Sequence, residues 1–296
     1  MQESIELLRP QPGQTFVDCT LGAGGHSAAL IPKLSGGRLI GFDVDPEALA
    51  LTRERLDPLA RDANVTLHLI HSNFRRVAAA LNDLGVQKVD GILADLGVSS
   101  MQFDRPERGF SFRFDHPLDM RMDPTQPETA ADILYTRSEE EIADILFHLG
   151  EEHKSRRIAR AIVRQRELEP IATTGQLEEL VRRALRVKGH RRIHPATKTF
   201  QALRLAVNQE IDALTEFLDA TPDLLAPGGT LALITFHSLE DRPVKQRFKA
   251  LDQSGRFHQI VKFVAPSEGE VEANPRSRSA KLRAIRAVVN PGVESP

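Results

Sequence analysis

The chain has 296 residues, with 27% charged, 5% aromatic, a formal net charge of −2 and one cysteine. That length holds one large or two modest domains with real cores, while the lone Cys19 excludes an internal disulfide or cysteine metal cluster, and the histidines show no paired ligand spacing, so no metal is expected. No run of 18 apolar residues occurs and Met1-Gln-Glu-Ser lacks a basic-then-apolar leader, so no membrane association is expected and the protein reads as cytoplasmic.

A first strand is expected over Thr15–Thr20, running into Asp18-Cys-Thr-Leu-Gly22-Ala-Gly24-Gly25-His26. In a strand-to-helix turn such glycines permit positive φ and close approach of a ligand to the backbone, and the next helix aims free N–H groups at it. A second strand, Arg38–Asp43, ends in acid about 20 residues on, where a doubly wound fold sets a carboxylate on a ribose diol. An adenosine-containing ligand follows. NAD is the obvious rival, but its fingerprint is G-x-G-x-x-G, whereas here the glycines read G-x-G-G with Asp18 four residues ahead. S-adenosylmethionine fits better. Asp45-Pro46-Glu47 reads as a helix N-cap with proline at the first helical position, leaving the ribose role to Asp43.

Strands over Val65–His71 and Val89–Leu96 continue the alternation with helices, the signature of an α/β fold with a mostly parallel sheet. The fourth strand ends in Asp95-Leu-Gly97-Val-Ser-Ser, a carboxylate and a glycine turn facing the cofactor. An exocyclic pyrimidine amine is a poor nucleophile because its lone pair is delocalised. A carboxylate there can accept its N–H bonds and the charge that develops on attack. Anchoring the methionine end of the cofactor is the other reading of Asp95, and the two can coexist.

From about Asp104 to Phe200 the pattern changes to an irregular opening followed by helical periodicities: Ile142, Ile145, Leu146 and Leu149; Ile158 and Ile162; Leu177, Leu180, Val181, Ala184 and Leu185. This reads as a helical insertion, residues 105–200, within a domain formed by 1–104 and 201–296; beside the fourth strand it would stand over the carboxyl-end crevice. Between Glu151 and Glu210 there are 14 Lys and Arg against 7 acids, which suits phosphate binding by counterion release, or simply a solvated face. One helix carrying Phe200, Leu203, Val207, Ile211, Leu214 and Leu218 leads back to the sheet, which resumes in Leu225–His237 after a Pro-Gly-Gly turn. Ser238 is expected to cap the following helix and Arg278–Val289 to form the last strand, while Leu251–Glu272 gives little functional information.

Motifs across nearly the whole chain carry a family resemblance: Gly22-Ala-Gly-Gly-His-Ser, Asp95-Leu-Gly-Val-Ser-Ser, Arg108-Gly-Phe-Ser-Phe, Pro117-Leu-Asp-Met-Arg-Met-Asp, Gly150-Glu-Glu, His194-Pro-Ala-Thr, Thr199-Phe-Gln-Ala-Leu-Arg, Phe236-His-Ser-Leu-Glu-Asp-Arg and Asn274-Pro-Arg-Ser-Arg-Ser. The chain resembles the ribosomal RNA small subunit methyltransferase H family (MraW type). The resemblance implies a class I S-adenosylmethionine-dependent methyltransferase domain interrupted by a helical domain for substrate RNA. It implies methyl transfer to the N4 amine of a decoding-centre cytidine of 16S rRNA in the small ribosomal subunit. It also implies cofactor contacts from Gly24, Gly25, His26, Asp43, Phe74, Asp95 and Gln102, with Asp95 catalytic.

For the RNA, Phe110, Phe112 and Phe114 alternate beside Arg113, so an extruded cytosine could stack there, or the rings could seal a domain junction. Lys188, His190, Arg191, Arg192, His194, Lys198 and Arg204 form one candidate phosphate track, and Arg276, Arg278 and Lys281 a second, with His237 a candidate substrate contact. Members of the family usually carry a His-x-Pro-Val-like segment ahead of the Glu3–Leu8 stretch, and this chain starts after it. The sequence sets no oligomeric state and admits a homodimer.

Overall fold

The computed structural model describes residues 1–186 and 194–289. Two compact units emerge, Met1–Gly97 with Ile211–Pro296, and Val98–Glu210. The first begins with α1 (Gln2–Leu8), β1 (Thr15–Asp18), α2 (Gly25–Leu30), β2 (Arg38–Asp43), α3 (Pro46–Asp62), β3 (Thr66–His71), α4 (Val77–Asp83) and β4 (Val89–Asp95). Phe16 and Val17 of β1, Leu39, Ile40 and Phe42 of β2, and Ile92, Leu93 and Ala94 of β4 are all buried. Near-continuous burial is what parallel strands covered on both faces require. Asp45 does cap α3, accepting the Glu47 N–H at 3.1 Å ahead of Pro46.

The second unit holds α5 (Ser100–Phe103), α6 (Ala130–Thr136), α7 (Glu139–His148), α8 (Ser155–Arg166), α9 (Thr174–Leu185) and α10 (Thr197–Val207). Capping boxes at Thr129/Asp132, Ser138/Glu141 and Thr173/Gln176 start α6, α7 and α9, each satisfying two free backbone donors. Ile142, Leu146, Ile158, Ile162, Leu177 and Val181 meet in one core. The unit is wider than the 105–200 read from sequence, because Val98 and Phe103 pack on that core at one end and Leu203 and Val207 are buried in it at the other. The long connection before α6 is locked by polar contacts. Arg108 donates to the carbonyls of Arg121 and Met122 at 3.0 and 2.9 Å, and Arg121 forks onto Asp119 at 2.8 and 2.7 Å. Gly109 has φ of 73°, and a Cβ there would lie 2.5 Å from the Pro117 carbonyl oxygen.

The single helix expected through Phe200 and Leu218 is two, α10 and α11 (Glu210–Ala220), broken at Asn208 and Gln209, the latter at φ 48°. Asn208 is held at the stop by tertiary bonds, its amide donating to the Met120 carbonyl at 2.8 Å and its oxygen accepting the Met122 N–H at 2.7 Å, and by a local bond to the Arg204 carbonyl at 2.8 Å. The apolar period runs straight through this break and so hides it.

The chain continues through β5 (Leu225–Thr235), α12 (Ser238–Gln253), β6 (Phe257–Val264), α13 (Glu268–Ala273) and β7 (Lys281–Ala287). The seven strands form one sheet in the order β3-β2-β1-β4-β5-β7-β6, parallel except that β7 runs antiparallel to β5 and β6. This is the α/β class I methyltransferase arrangement expected from sequence. One detail adds to the reading and another corrects it. β6 lies in the Leu251–Glu272 stretch, to which the sequence reading assigned no strand, its alternation blurred by register shifts at Gln259/Val261 and Val261/Val264. Ser238 is not the cap of α12: His237 holds that position without capping a helix N–H through its side chain, and the Glu240 carboxylate reaches back to accept the Phe236 N–H at 2.9 Å. Among the described residues no helix is long and apolar enough to cross a membrane.

Candidate active site

β1 and β4 are neighbours, yet the chain leaves β1 toward β2 and β3 on the other side. Such a reversal of strand order opens a crevice at the carboxyl ends of the strands, where ligands of open α/β sheets bind. The glycine loop after β1, Asp43 at the end of β2 and Asp95 at the end of β4 all lie at this end.

Hydrogen bonds fix the loop to the sheet. Asp18 is buried and accepts the Ser27 hydroxyl at 2.7 Å and the Thr20 N–H at 3.2 Å, joining the strand end to the start of α2. Thr20 Oγ1 accepts the Asp95 N–H at 2.6 Å, and the Leu21 N–H reaches the Phe42 carbonyl at 2.9 Å. Gly24 caps α2 at φ 72°, with the side chain of Thr52 where a Cβ would be, 2.7 Å away. Glycine is therefore required there by backbone conformation and by packing on α3. Asp43 accepts the Gly22 N–H at 2.7 Å and the Asp45 N–H at 2.9 Å. A carboxylate has about four lone-pair sites, so both oxygens retain capacity for a diol.

Two buried polar atoms here lack a hydrogen-bond partner among the described residues: Asp95 Oδ1 and His26 Nε2. Orphaned buried groups are rare and costly in folded proteins, and at a crevice they mark a ligand position. His26 Nδ1 stands 4.0 Å from Asp95 Oδ2, too far for a hydrogen bond. Burial lowers the His26 pKa to about 4, so the imidazole is neutral at physiological pH and the approach is no ion pair. Burial, with the like charges of Asp18 and Glu240, raises Asp95 to about 7. Burial also raises Asp43 to about 6. Positive charge or hydrogen-bond donors supplied by a ligand would relieve both carboxylates. The donor set therefore suits a cofactor with a ribose diol and a cationic amino-acid end. The Cys19 thiol is buried, with its pKa pushed well up by that burial and by Asp18, and stays protonated.

Other predicted site residues sit differently. Phe74 follows β3 in a turn and is half-buried, its ring edge-on to Phe217 at 5.3 Å. Gln102 belongs to the second unit, in α5, and is buried, accepting the Ser99 N–H at 3.2 Å. Phe110, Phe112 and Phe114 share no face. Phe110 is buried in the helical core and offers no ring to RNA; Phe112 stacks on His194 at 4.6 Å and meets Phe200 at 4.9 Å; Phe114 is 65% exposed. The segment is irregular, so the alternation of an extended strand does not apply.

The first phosphate track is also redrawn. Arg204 forks onto Glu210 at 2.8 and 3.2 Å, both side chains more than four-fifths buried, which commits its charge inside the fold. Lys198 donates to the Glu151 carbonyl at 2.8 Å, tying α10 to the end of α7. His194 Nε2 lies 3.2 Å from Glu178. Arg113 is exposed; Lys188, His190, Arg191 and Arg192 lie outside the described residues. In the second track Arg276 and Arg278 are exposed, and Lys281 pairs with Asp241 at 3.1 Å. His237 Nε2 stands 3.0 Å from Glu240 Oε1 at the end of β5. Thr20, Ser27 and Glu240 were not singled out by sequence, since a hydroxyl or carboxylate that shapes a loop carries no spacing signal of its own.

The family model described as the MraW methylase family matches residues 1–288. Ribosomal RNA small subunit methyltransferase H of Synechococcus elongatus is 49% identical over 290 residues, covering 97% of this chain and 93% of that protein. The protein of that name from Symbiobacterium thermophilum is 46% identical over 303 residues, covering 96% and 94%. Its counterpart from Sorangium cellulosum is 47% identical over 291 residues, covering 97% and 89%. With such a match, and with a strand order and crevice that suit the chemistry, the chain belongs to the MraW methylase family.

Proposed function

We propose that this methylase is a cytoplasmic rRNA (cytosine-N4-)-methyltransferase, transferring the methyl group of S-adenosylmethionine to a decoding-centre cytidine of 16S rRNA within the small ribosomal subunit. The observation that carries the reading is Asp95 at the end of β4, with one buried oxygen unpartnered and its pKa raised to about 7. The relatives' shared name supplies the substrate class.

When bound, S-adenosylmethionine would supply an electrophilic methyl carbon to the attacking amine. Asp43 would take the ribose diol, Phe74 the adenine, and Gly24, Gly25, His26 and Gln102 the remaining contacts. Asp95 accepts an N–H of the amine, aims its lone pair at the methyl carbon, and takes up the proton shed once nitrogen becomes cationic. A carboxylate held near pH 7 is a better base than an ordinary one, which suits a weakly nucleophilic amine. The helical unit, inserted in the chain directly after Gly97, serves RNA recognition, with His237 a contact to the substrate.

The test is to incubate the protein with labelled S-adenosylmethionine and either unmodified 30S particles or free 16S rRNA, then identify the product nucleoside by mass spectrometry. N4-methylcytidine at one position supports the reading. Methyl on another atom, or cofactor binding without transfer, overturns it.

A further inference from the structure

α8 and α9 form an open groove of about 900 Å³ whose lining includes Arg156, Arg157, Arg160, Arg164, Arg183 and Arg186. All six side chains are exposed. On α8 the pattern follows from helical geometry. Ser155, Ile158, Ala159 and Ile162 are buried, which turns Arg156, Arg160 and Arg164, spaced four apart, into a stripe along the other side, with Arg157 beside it. α9 contributes Arg183 and Arg186 from its C-terminal turn, where cations are favoured by the helix dipole.

That dipole explains the α9 arginines without a ligand. It covers Arg164 in the last turn of α8 as well, but not Arg156, Arg157 and Arg160 nearer its start, where the dipole disfavours cations and like charges four residues apart repel. Neutralisation within the protein is slight: Arg160 is 3.4 Å from Glu139, and Arg183 is 3.8 Å from Glu179 of its own helix, all four side chains at least 40% exposed. Arg156, Arg157, Arg164 and Arg186 make no side-chain hydrogen bond or ion pair with the described residues. A concave, arginine-lined surface of this size exceeds what a small anion needs. Planar guanidinium forks match phosphate oxygens two at a time. Successive arginines on the stripe advance about 6 Å along the helix, comparable to the separation of neighbouring phosphates on a nucleic-acid strand. Leu168, also in the lining and 85% exposed, adds an apolar ledge beside the charge.

We infer that the α8–α9 groove binds the phosphodiester backbone of the substrate ribosomal RNA, fixing its path on the helical unit without reading bases. The inference rests on the RNA-methylase reading above and replaces Arg204 and Lys198 as the phosphate track. Contacts of this kind give affinity and register, with a strong salt dependence.

The experiment titrates a fluorescent 16S rRNA transcript with the full chain at several salt concentrations, beside the Arg156→Gln/Arg160→Gln/Arg164→Gln variant and its Arg→Lys counterpart. The glutamine variant is expected to bind at least tenfold more weakly, with the slope of log affinity against log salt reduced by about 2, three contacts at about 0.7 each. The lysine variant should keep most of that slope while losing part of the affinity. S-adenosylmethionine affinity and the thermal midpoint should match wild type in both, showing that the fold is intact. Glutamine-variant binding and slope equal to wild type would overturn the groove alone. Loss of binding to polyglutamate with RNA binding retained would overturn it in favour of an acidic protein partner. A wild-type protein that binds neither the transcript nor 30S particles would overturn the RNA-methylase reading itself.

Discussion

The loop after β1 and the connection through Arg108–Asp123 are both dense in the residue motifs of this family, yet they treat buried polar atoms in opposite ways. In the long connection Arg108, Asp119 and Arg121 meet carbonyls, N–H groups or each other, Asn208 bonds in from the end of α10, and among the described residues no buried side-chain atom of Arg108–Asp123 is orphaned. At the crevice, Asp95 Oδ1 and His26 Nε2 are buried without partners. A saturated network rigidifies a fold, whereas an unsatisfied one holds free energy in reserve for a ligand. Motif density alone cannot separate the two; hydrogen-bond satisfaction can.

The largest test of that contrast is Asp95→Asn. It should cut methyl transfer by roughly 10²- to 10⁴-fold, the usual range for a lost general base, measured with saturating substrates. The same change should stabilise the protein at pH 8. Asp95 has its folded pKa raised from 3.8 to about 7, so its contribution favours folding below about pH 4 and is lost as pH rises through 7. The full shift corresponds to about 4 kcal/mol; with the side chain 34% exposed, solvent screening reduces this to about 1–2 kcal/mol. Urea denaturation showing a destabilised, fully active Asp95→Asn would remove both the base and the strain.

Asn208→Ala breaks the comparison from the other side. It leaves the Met122 N–H and the Met120 carbonyl to find new partners, costing about 2–3 kcal/mol, while cofactor affinity stays within about twofold. Equal losses of stability and cofactor affinity would show that the two regions are not independent.

The pH profile offers a finer test. The free enzyme should show kcat/KM rising with pH through a single limb with a midpoint near 7, because the ionised form of Asp95 is the base. Cofactor binding brings positive charge toward Asp95, so the corresponding limb in kcat should move to lower pH. A flat profile between pH 6 and 8 would exclude Asp95 as the titrating group. Smallest is Lys198→Ala, which loses one hydrogen bond to the Glu151 carbonyl. It should cost about 1 kcal/mol or less and leave the salt dependence of RNA binding unchanged; a reduced slope would return Lys198 to the phosphate track.

Much of the sheet unit is readable along the chain because its signals are local. β2 occupies the span predicted for it, Asp45 caps α3 as its neighbours Pro46 and Glu47 imply, and the fold class follows from alternating apolar runs and helices. The misses share a cause. The stop between α10 and α11 depends on the Met120 carbonyl and the Met122 N–H, far from Asn208 in sequence, and β6 is recognisable mainly by its pairing with β7. The rings of Phe110 and Phe114 look equivalent until packing buries one and exposes the other. The stripe on α8 was present in Ser155-Arg-Arg-Ile-Ala-Arg-Ala-Ile-Val-Arg-Gln-Arg, and counting arginines at every fourth position would have found it.

By itself, the amino-acid sequence determined the α/β class, the glycine loop and the acids closing β2 and β4, all of which rest on short-range spacing, and it carried the motifs that resemble one family. Tertiary structure alone decided which charges are spent and which remain available. Arg204 and Lys198 are neutralised or tethered within the fold, the arginines of α8 are mostly not, and Asp95 keeps a buried oxygen open. The physical reason is that charge and hydrogen bonding are settled by distance and burial between residues remote in the chain, quantities that no spacing along it encodes.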